Sequence, residues 1–206
     1  MTPSPVTSTD PITRRLAEFA RTTRETSISG RLELDPAEQS IKIDTGIGML
    51  DHMFEALATH AGWSLRLNAT GDLQVDDHHV AEDCGIVLAR LLDGALGDRR
   101  GIRRFGWAMV PLDEALSRVA VDLVARPSAT IELGLANPMV GALTSQNATH
   151  LLETIALTAP FTLHVRVLEG RNDHHRLESA FKSLALALRM AVEPTVGTTS
   201  TKGTLR

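Results

Sequence analysis

The chain carries the pattern His-His-x-x-Glu twice, at residues 78–82 and 174–178, and each copy leads into an apolar stretch of helical character. A lone histidine precedes each copy: His150 lies 98 residues after His52, and the two patterns lie 96 residues apart. Leu65 and Leu163 keep the 98-residue offset. Matched spacings of this kind indicate an internal duplication, so we expect both halves to share one fold.

Each half is predicted to run strand, strand, helix, strand, helix. Residues 28–34 and 41–43 alternate apolar with polar side chains around a turn at 35–38, which predicts a hairpin. The other predicted strands are residues 65–69, 104–110, 118–124, 130–133 and 161–168, and the predicted helices are residues 49–61, 79–96, 150–158 and 175–192. Residues 12–24 give only a weak signal.

Two such units would bury their apolar faces by packing helix to helix, with two four-stranded sheets outside. The expected fold class is therefore α+β, with two duplicated β-β-α-β-α halves. We expect residues 12–100 to form the first half and 101–193 the second, within one intertwined domain. Residues 1–11 are expected to be a disordered tail and residues 194–206 a flexible C-terminal loop.

Composition narrows the class of protein. The formal net charge of −4 argues against a nucleic-acid-binding surface, and the single cysteine, Cys84, excludes an intramolecular disulfide. No apolar run reaches the roughly 20 residues of a membrane-spanning helix, and the N-terminal residues do not resemble a signal peptide. These features favour a cytoplasmic protein without nucleic-acid or membrane partners.

The repeated histidines and glutamates suit metal binding. Neighbouring residues on a helix diverge by about 100°, so each His-His pair is expected to divide between two ions, with both repeats feeding each site. Imidazole and carboxylate without thiolate suit Mn, Fe, Zn or Ni, and the residues alone do not choose among them. The predicted ligands are His52, His78, His79, Glu82, His150, His174, His175 and Glu178. His60 and His164 fall outside the pattern, and Cys84 is expected to be a packing residue.

The chain resembles the imidazoleglycerol-phosphate dehydratases of histidine biosynthesis over about residues 24–203. The resemblance rests on Gly-Met-Leu-Asp-His-Met at 48–53, Asp-His-His-Val-Ala-Glu-Asp at 77–83, Arg-Phe-Gly at 104–106, Val-Asp-Leu-Val-Ala-Arg-Pro at 121–127, and Asn-Asp-His-His-Arg-Leu-Glu-Ser-Ala-Phe-Lys at 172–182. It implies a fold like domain 2 of ribosomal protein S5, two Mn²⁺ ions per active site, and a homo-oligomeric shell of 24 subunits built from trimers. Neighbouring subunits would share the sites.

The implied reaction is the dehydration of D-erythro-imidazole glycerol phosphate to imidazole acetol phosphate. The substrate imidazole, held as an imidazolate between metal ions, would pass through a diazafulvene-like intermediate. By resemblance, Glu25 is the proton shuttle. The implied catalytic set is Glu25, His52, His79, Glu82, His175 and Glu178, and the implied substrate contacts are Glu25, His52, His78, Arg104, Arg126, His150, His174, Lys182, Ser200 and Lys202.

Four points stay open at this stage. Arg118 is a nearby alternative to Arg126, which we prefer because of its position in the motif, and Thr201 stands where the resemblance leads us to expect a second serine. A dinuclear metallohydrolase acting on a phosphate ester could use the same ligands, although the Asp-rich set common in two-metal phosphatases is missing. In a third interpretation, metals merely join the subunits of an assembly protein.

Overall fold

The structure, a computed structural model, describes residues 15–197, 200, 204 and 205. The expected N-terminal tail and Lys202 lie outside the described residues. Two four-stranded sheets enclose a layer of four helices, which confirms the predicted α+β architecture. No helix in the described part of the chain is long and apolar enough to cross a membrane.

The two halves have the same topology. The first half contains β1 (Leu16–Thr22), β2 (Thr26–Glu33), β3 (Ile41–Asp44), α1 (Gly48–Ala61), β4 (Ser64–Gly71) and α2 (His78–Leu96). The second contains β5 (Phe105–Leu112), β6 (Ala115–Asp122), β7 (Ser128–Glu132), the short pair β8 (Met139–Val140) and β9 (Leu143–Thr144), α3 (Ser145–Thr158), β10 (Thr162–Glu169) and α4 (Asp173–Ala191). The sheet orders are β1-β2-β4-β3 and β5-β6-β10-β7.

The predicted hairpin of residues 28–34 and 41–43 is wrong. β2 pairs antiparallel with β1 and β4, whereas β3 pairs parallel with β4, so β4 lies between the two predicted partners. The first strand, β1, was missed because it lies at the edge of its sheet and exposes most of its side chains, which removes the alternation that marks a half-buried strand.

The core lies between the helices and the inner faces of the sheets. β4 and β10 show the same alternation of buried and exposed residues, as expected for strands covered on one face. α2 packs on β1 and β2, and α4 packs on β5 and β6. Across the middle layer, α1 contacts α4 and α2 contacts α3, so each helix of one half meets a helix of the other. These cross-half contacts bring the predicted ligands together.

Arg99 lies in the segment that joins the halves and makes contacts with both of them. It is 1% exposed and donates hydrogen bonds to the carbonyl oxygens of Pro160 (2.7 Å), Leu123 (3.3 Å) and Ala159. Its guanidinium also pairs with Asp93 at 2.6 Å. A buried charge needs such partners to offset its loss of hydration, so this contact set holds the two halves in a fixed relation.

Candidate metal centre

The first cluster of possible ligands, called here the His52 cluster, consists of His52, His174 and Glu178. His52 projects from α1, and the other two residues lie one helical turn apart on α4. The Nε2 atoms of His52 and His174 lie 3.3 and 3.1 Å from Oε2 of Glu178. One ligand atom from each residue falls within 4.8 Å of the others, a spacing at which one cation could contact all three.

The second cluster, called the His150 cluster, consists of His78, Glu82 and His150. His78 and Glu82 lie one turn apart on α2, and His150 projects from α3. Nε2 of His150 lies 3.1 Å from Oε1 of Glu82, and the rings of His78 and His150 stack with centroids 5.3 Å apart. The two clusters are therefore built alike.

Each cluster joins a lone histidine from one half to a histidine and a glutamate from the other. This exchange follows from the packing of α1 on α4 and of α2 on α3. The helix starts are matched as well: the side chains of Asp76 and Asn172 accept the backbone N–H of His78 (2.8 Å) and of His174 (2.9 Å). Asn172 is the N-cap residue of α4, whereas Asp76 lies one residue before Asp77, the N-cap residue of α2. Both hydrogen bonds hold the backbone of the first histidine at the start of its helix.

The second histidine of each pair lies outside both clusters and contacts a different carboxylate. His79 Nδ1 lies 3.0 Å from Asp72, and this hydrogen bond is the largest of the influences that raise the pKa of His79. His175 Nδ1 lies 2.7 Å from Glu114. The hydrogen bond with His175, helped by backbone N–H groups, lowers the pKa of Glu114 to about 2. Sequence reasoning missed Asp72 and Glu114, because neither stands in a recognisable spacing to its histidine.

Asn147 forms a hydrogen bond with a histidine of the His150 cluster. Its Oδ1 lies 3.0 Å from Nδ1 of His78, and its Nδ2 donates to Asp77 at 2.8 Å. The buried Asp77 also accepts the backbone N–H of Thr144 at 2.7 Å. A histidine held at one ring nitrogen presents the other in a fixed direction, as metal-binding histidines commonly do. An open cleft of about 660 Å³, lined by residues 76–78, 136–138 and 144–147, lies beside this support.

Lys182 lies next to the His52 cluster. Its Nζ pairs with Oε1 of Glu178 at 2.7 Å, one helical turn away. Burial acts to raise the pKa of Glu178, but hydrogen bonds from Lys182 and His52 outweigh it and hold the pKa at about 2. Glu178 is therefore ionised over the physiological range, the state in which a carboxylate binds a cation. His60 lies further along α1 than His52, and its pKa is lowered by burial and by the positive charge of Lys182.

The other residues expected to contact the substrate belong to neither cluster. Arg104 makes two hydrogen bonds to the carboxylate of Asp122, at 2.6 and 3.0 Å, so its guanidinium already has an anionic partner. Arg126 is exposed, and Ser200 is half-buried. Arg118 lies on the outer face of the second sheet beside His164, which is exposed. Glu25 is exposed, with Oε2 3.9 Å from Nε2 of His79.

The donor set fits a divalent transition metal. Imidazole nitrogens and carboxylate oxygens suit manganese, iron or zinc, and three protein donors per cluster leave positions for further ligands. Cys84 lies on the buried face of α2 and belongs to neither cluster. The structure thus brings together six of the eight predicted ligands in two matched groups.

Comparison with known proteins agrees with this geometry. The family model for imidazoleglycerol-phosphate dehydratase matches residues 45–188. The imidazoleglycerol-phosphate dehydratase of Candida glabrata is 48% identical over 92% of this chain and all of the relative's length. A protein of that description from Phytophthora nicotianae is 54% identical over 93% of this chain, which spans 42% of that longer relative.

One solved structure is similar to this chain in fold as well as in sequence. The crystal structure of imidazoleglycerol-phosphate dehydratase from Staphylococcus aureus superposes with a TM-score of 0.79 at 32% identity, covering 87% of this chain and 99% of that one. Fold, duplicated His-Glu clusters and sequence similarity lead to one conclusion: the chain belongs to the imidazoleglycerol-phosphate dehydratase family.

Proposed function

We propose that this chain dehydrates D-erythro-imidazole glycerol phosphate to imidazole acetol phosphate, a step of histidine biosynthesis, with the aid of two Mn²⁺ ions. The observation that carries the proposal is the pair of matched clusters, each with two imidazoles and one carboxylate drawn from both halves. The family membership supplies the substrate, and the clusters supply a reason for the chemistry. The cytoplasmic location stays a prediction.

In this proposal the His52 cluster holds one ion and the His150 cluster the other. A manganese ion held by these residues would supply Lewis-acid chemistry to the bound substrate. Glu178, ionised and only 13% exposed, contributes negative charge at the first site, and Lys182 keeps that carboxylate in place. Asn147 plays the orienting part at the second site through His78.

The proposal assigns proton transfer to Glu25. Dehydration removes a proton from one carbon and a hydroxyl group from the next, and the enol formed then takes up a proton to give the ketone. Among the described residues, the Glu25 carboxylate makes no hydrogen bond, and its Oε2 lies 3.9 Å from Nε2 of His79. A carboxylate with this freedom can take a proton at one carbon and return it elsewhere.

Sharing of the sites between subunits is part of the proposal. His79 and His175 stand apart from the clusters of their own chain, so we infer that they serve clusters of neighbouring copies in a 24-subunit shell. An apolar strip on the edge strand β5 supports association: Phe105, Trp107 and Met109 are 42%, 57% and 55% exposed. Exposed apolar side chains at a sheet edge favour contact with another surface.

The proposal assigns the substrate phosphate to Lys182, Arg126, Arg104, Ser200 and Lys202. Lys182 contacts the His52 cluster directly, and Arg126 is exposed and therefore available. Arg104 would have to share its guanidinium between Asp122 and a phosphate. Ser200 and Lys202 are proposed as further contacts. Near them in sequence, Leu205 is buried, and its carbonyl oxygen accepts the N–H of Ala125 at 2.7 Å.

The test is an assay of purified protein on imidazole glycerol phosphate before chelation, after chelation, and after adding manganese back. Ketone product and inorganic phosphate are both measured. We expect ketone formation that is lost on chelation and restored by manganese. Phosphate release without ketone would favour a metallohydrolase. Tight metal binding without any turnover would mean that the metals only join subunits.

A further inference from the structure

Glu25 and Glu114 occupy equivalent positions in the duplicated fold. Leu32 pairs with Leu65 in the first sheet, and Val121 pairs with Leu163 in the second, so equivalent positions on the first two strands of each half lie 89 residues apart. The hairpins β1–β2 and β5–β6 keep the same pairing to their ends. Glu114 therefore stands in its hairpin turn where Glu25 stands in the other.

The two carboxylates have opposite surroundings. Oε1 of Glu114 accepts the backbone N–H groups of Arg171 (3.0 Å) and Asn172 (2.9 Å), and Oε2 lies 2.7 Å from Nδ1 of His175. Both of its oxygens are thus engaged. Glu25 has none of these contacts and approaches the other ring nitrogen, Nε2 of His79, at 3.9 Å.

In the first half, Asp72 takes the place at the histidine that Glu114 takes in the second. The Asp72 carboxylate lies 3.0 Å from Nδ1 of His79 and directly follows β4. The equivalent position after β10 is Gly170, which has no side chain to offer. A Cβ atom there would lie 2.8 Å from Cγ of Arg176 and 3.0 Å from Cβ of Ala115, at a φ of +139° that side chains rarely adopt.

We propose that Glu114 is a positioning residue: it accepts a hydrogen bond from Nδ1–H of His175 and so leaves Nε2 unprotonated and directed outward as a metal donor. Asp72 does the same for His79. Because Asp72 performs this task in the first half, Glu25 is free for proton transfer, whereas its equivalent Glu114 is not. The inference rests on the proposed function, since it assigns His79 and His175 to metal binding.

The local geometry supports the assignment of tautomer. A carboxylate only accepts hydrogen bonds, so a neutral imidazole facing one at 2.7 Å carries its proton on that nitrogen. On the opposite side of the His175 ring, Oδ2 of the exposed Asp113 lies 3.8 Å from Nε2, too far for a hydrogen bond. Nε2 therefore keeps its lone pair available.

Glu114→Gln gives a sharp test. The amide oxygen can still accept the N–H groups of Arg171 and Asn172, but the amide N–H₂ then faces His175 and favours the tautomer with the proton on Nε2. Solid-state NMR of metal-free protein with ¹⁵N-labelled histidine, which works on large assemblies, reports the tautomer. The His175 signals are identified by their loss in His175→Asn. Asp72→Asn should produce the same change at His79.

Titration with manganese provides the second readout. We expect Glu114→Gln and Asp72→Asn each to weaken manganese binding about 10- to 100-fold, with an unchanged tautomer at the other site. Glu132→Gln is the matched control, because Glu132 is also a carboxylate with a lowered pKa, but it pairs with Arg166 on the outer sheet face. Glu132→Gln should leave the histidine tautomers and the manganese affinity the same as in the unmodified protein.

The outcomes separate this inference from the proposed function. An unchanged His175 tautomer in Glu114→Gln, or a manganese affinity equal to that of the parent, overturns the positioning role while leaving the dehydratase proposal standing. A parent protein that binds no manganese contradicts the proposed function itself, and the metal-free NMR result then still decides whether Glu114 fixes the ring.

Discussion

The two halves of this protein use the same ligand types for their clusters but differ in the residues that support them. His52 matches His150, and each joins a histidine and a glutamate from the opposite half. The supports do not match. Asn147 holds His78, whereas the equivalent position in the first half is Met49, a buried apolar residue. The duplication has therefore kept the parts that could contact metal and changed those around them.

The carboxylates at the hairpin turns show the same divergence with a clearer consequence. Glu114 is held by two backbone N–H groups and His175, whereas its equivalent Glu25 is exposed and unengaged among the described residues. A carboxylate held on both oxygens can orient a neighbour but is poorly placed to move protons. The comparison teaches that one ancestral position could provide either a fixed support or a mobile base, depending on whether a second carboxylate, Asp72, stands nearby.

Substitutions in the matched clusters should impair the protein most. Glu82→Gln and Glu178→Gln should each lower kcat/KM by at least about 100-fold and reduce bound manganese, because each removes the only carboxylate of a cluster. Steady-state kinetics and metal analysis check this. Full activity in either variant would show that the two halves are not equivalent in function.

The next effect separates the two hairpin carboxylates. Glu25→Gln should lower kcat by about 10²- to 10⁴-fold, the range for loss of a general acid–base, while manganese content and assembly stay unchanged. Glu18→Gln is a suitable control, since Glu18 is exposed on β1 and pairs with Arg31. A Glu25→Gln protein that no longer assembles would instead make Glu25 a structural residue.

A substitution in the segment that joins the halves should change the thermal stability of the protein rather than its catalytic activity. Arg99→Met removes donors from three carbonyl oxygens and from Asp93, so we expect a loss of about 3 kcal/mol, or roughly 6–12 °C in Tm. Arg100→Met, at the next position, should change Tm very little because its side chain is 72% exposed. Equal thermal unfolding of the two variants would contradict the role given to Arg99.

The smallest effect is expected where one half already contains the substitution. Cys84 is buried at the position equivalent to Ala180, so Cys84→Ala should cost about 1 kcal/mol or less. Burial also raises the pKa of the Cys84 thiol, so the native protein should resist alkylation until it is unfolded. Mass spectrometry after iodoacetamide treatment checks this, and rapid labelling of native protein would mean that α2 opens readily.

The fold was predictable where periodicity is strong. The helices α1, α2 and α4 and the strands β4, β7 and β10 lie close to their predicted ranges, because their buried faces repeat at helical or strand spacing. The helix α3 begins at Ser145, five residues before its predicted start, because residues 145–149 are mostly polar and lack an apolar repeat. β1 escaped prediction because an edge strand with exposed side chains leaves no such pattern. The pairing of β3 with β4 escaped it because strand neighbours in a sheet are set by contacts between distant residues.

The amino-acid sequence was sufficient to predict the duplication, the candidate ligands and the separation of each histidine pair on its helix. These features reside in residue type and spacing. The sequence did not predict that α1 packs on α4 and α2 on α3. Nor did it predict that Asp72 and Glu114 contact the second histidine of each pair. The reason is physical. Hydrogen bonds and contacts between the halves depend on how the two sheets and four helices pack in three dimensions, and the spacing of residues along the chain does not specify that packing.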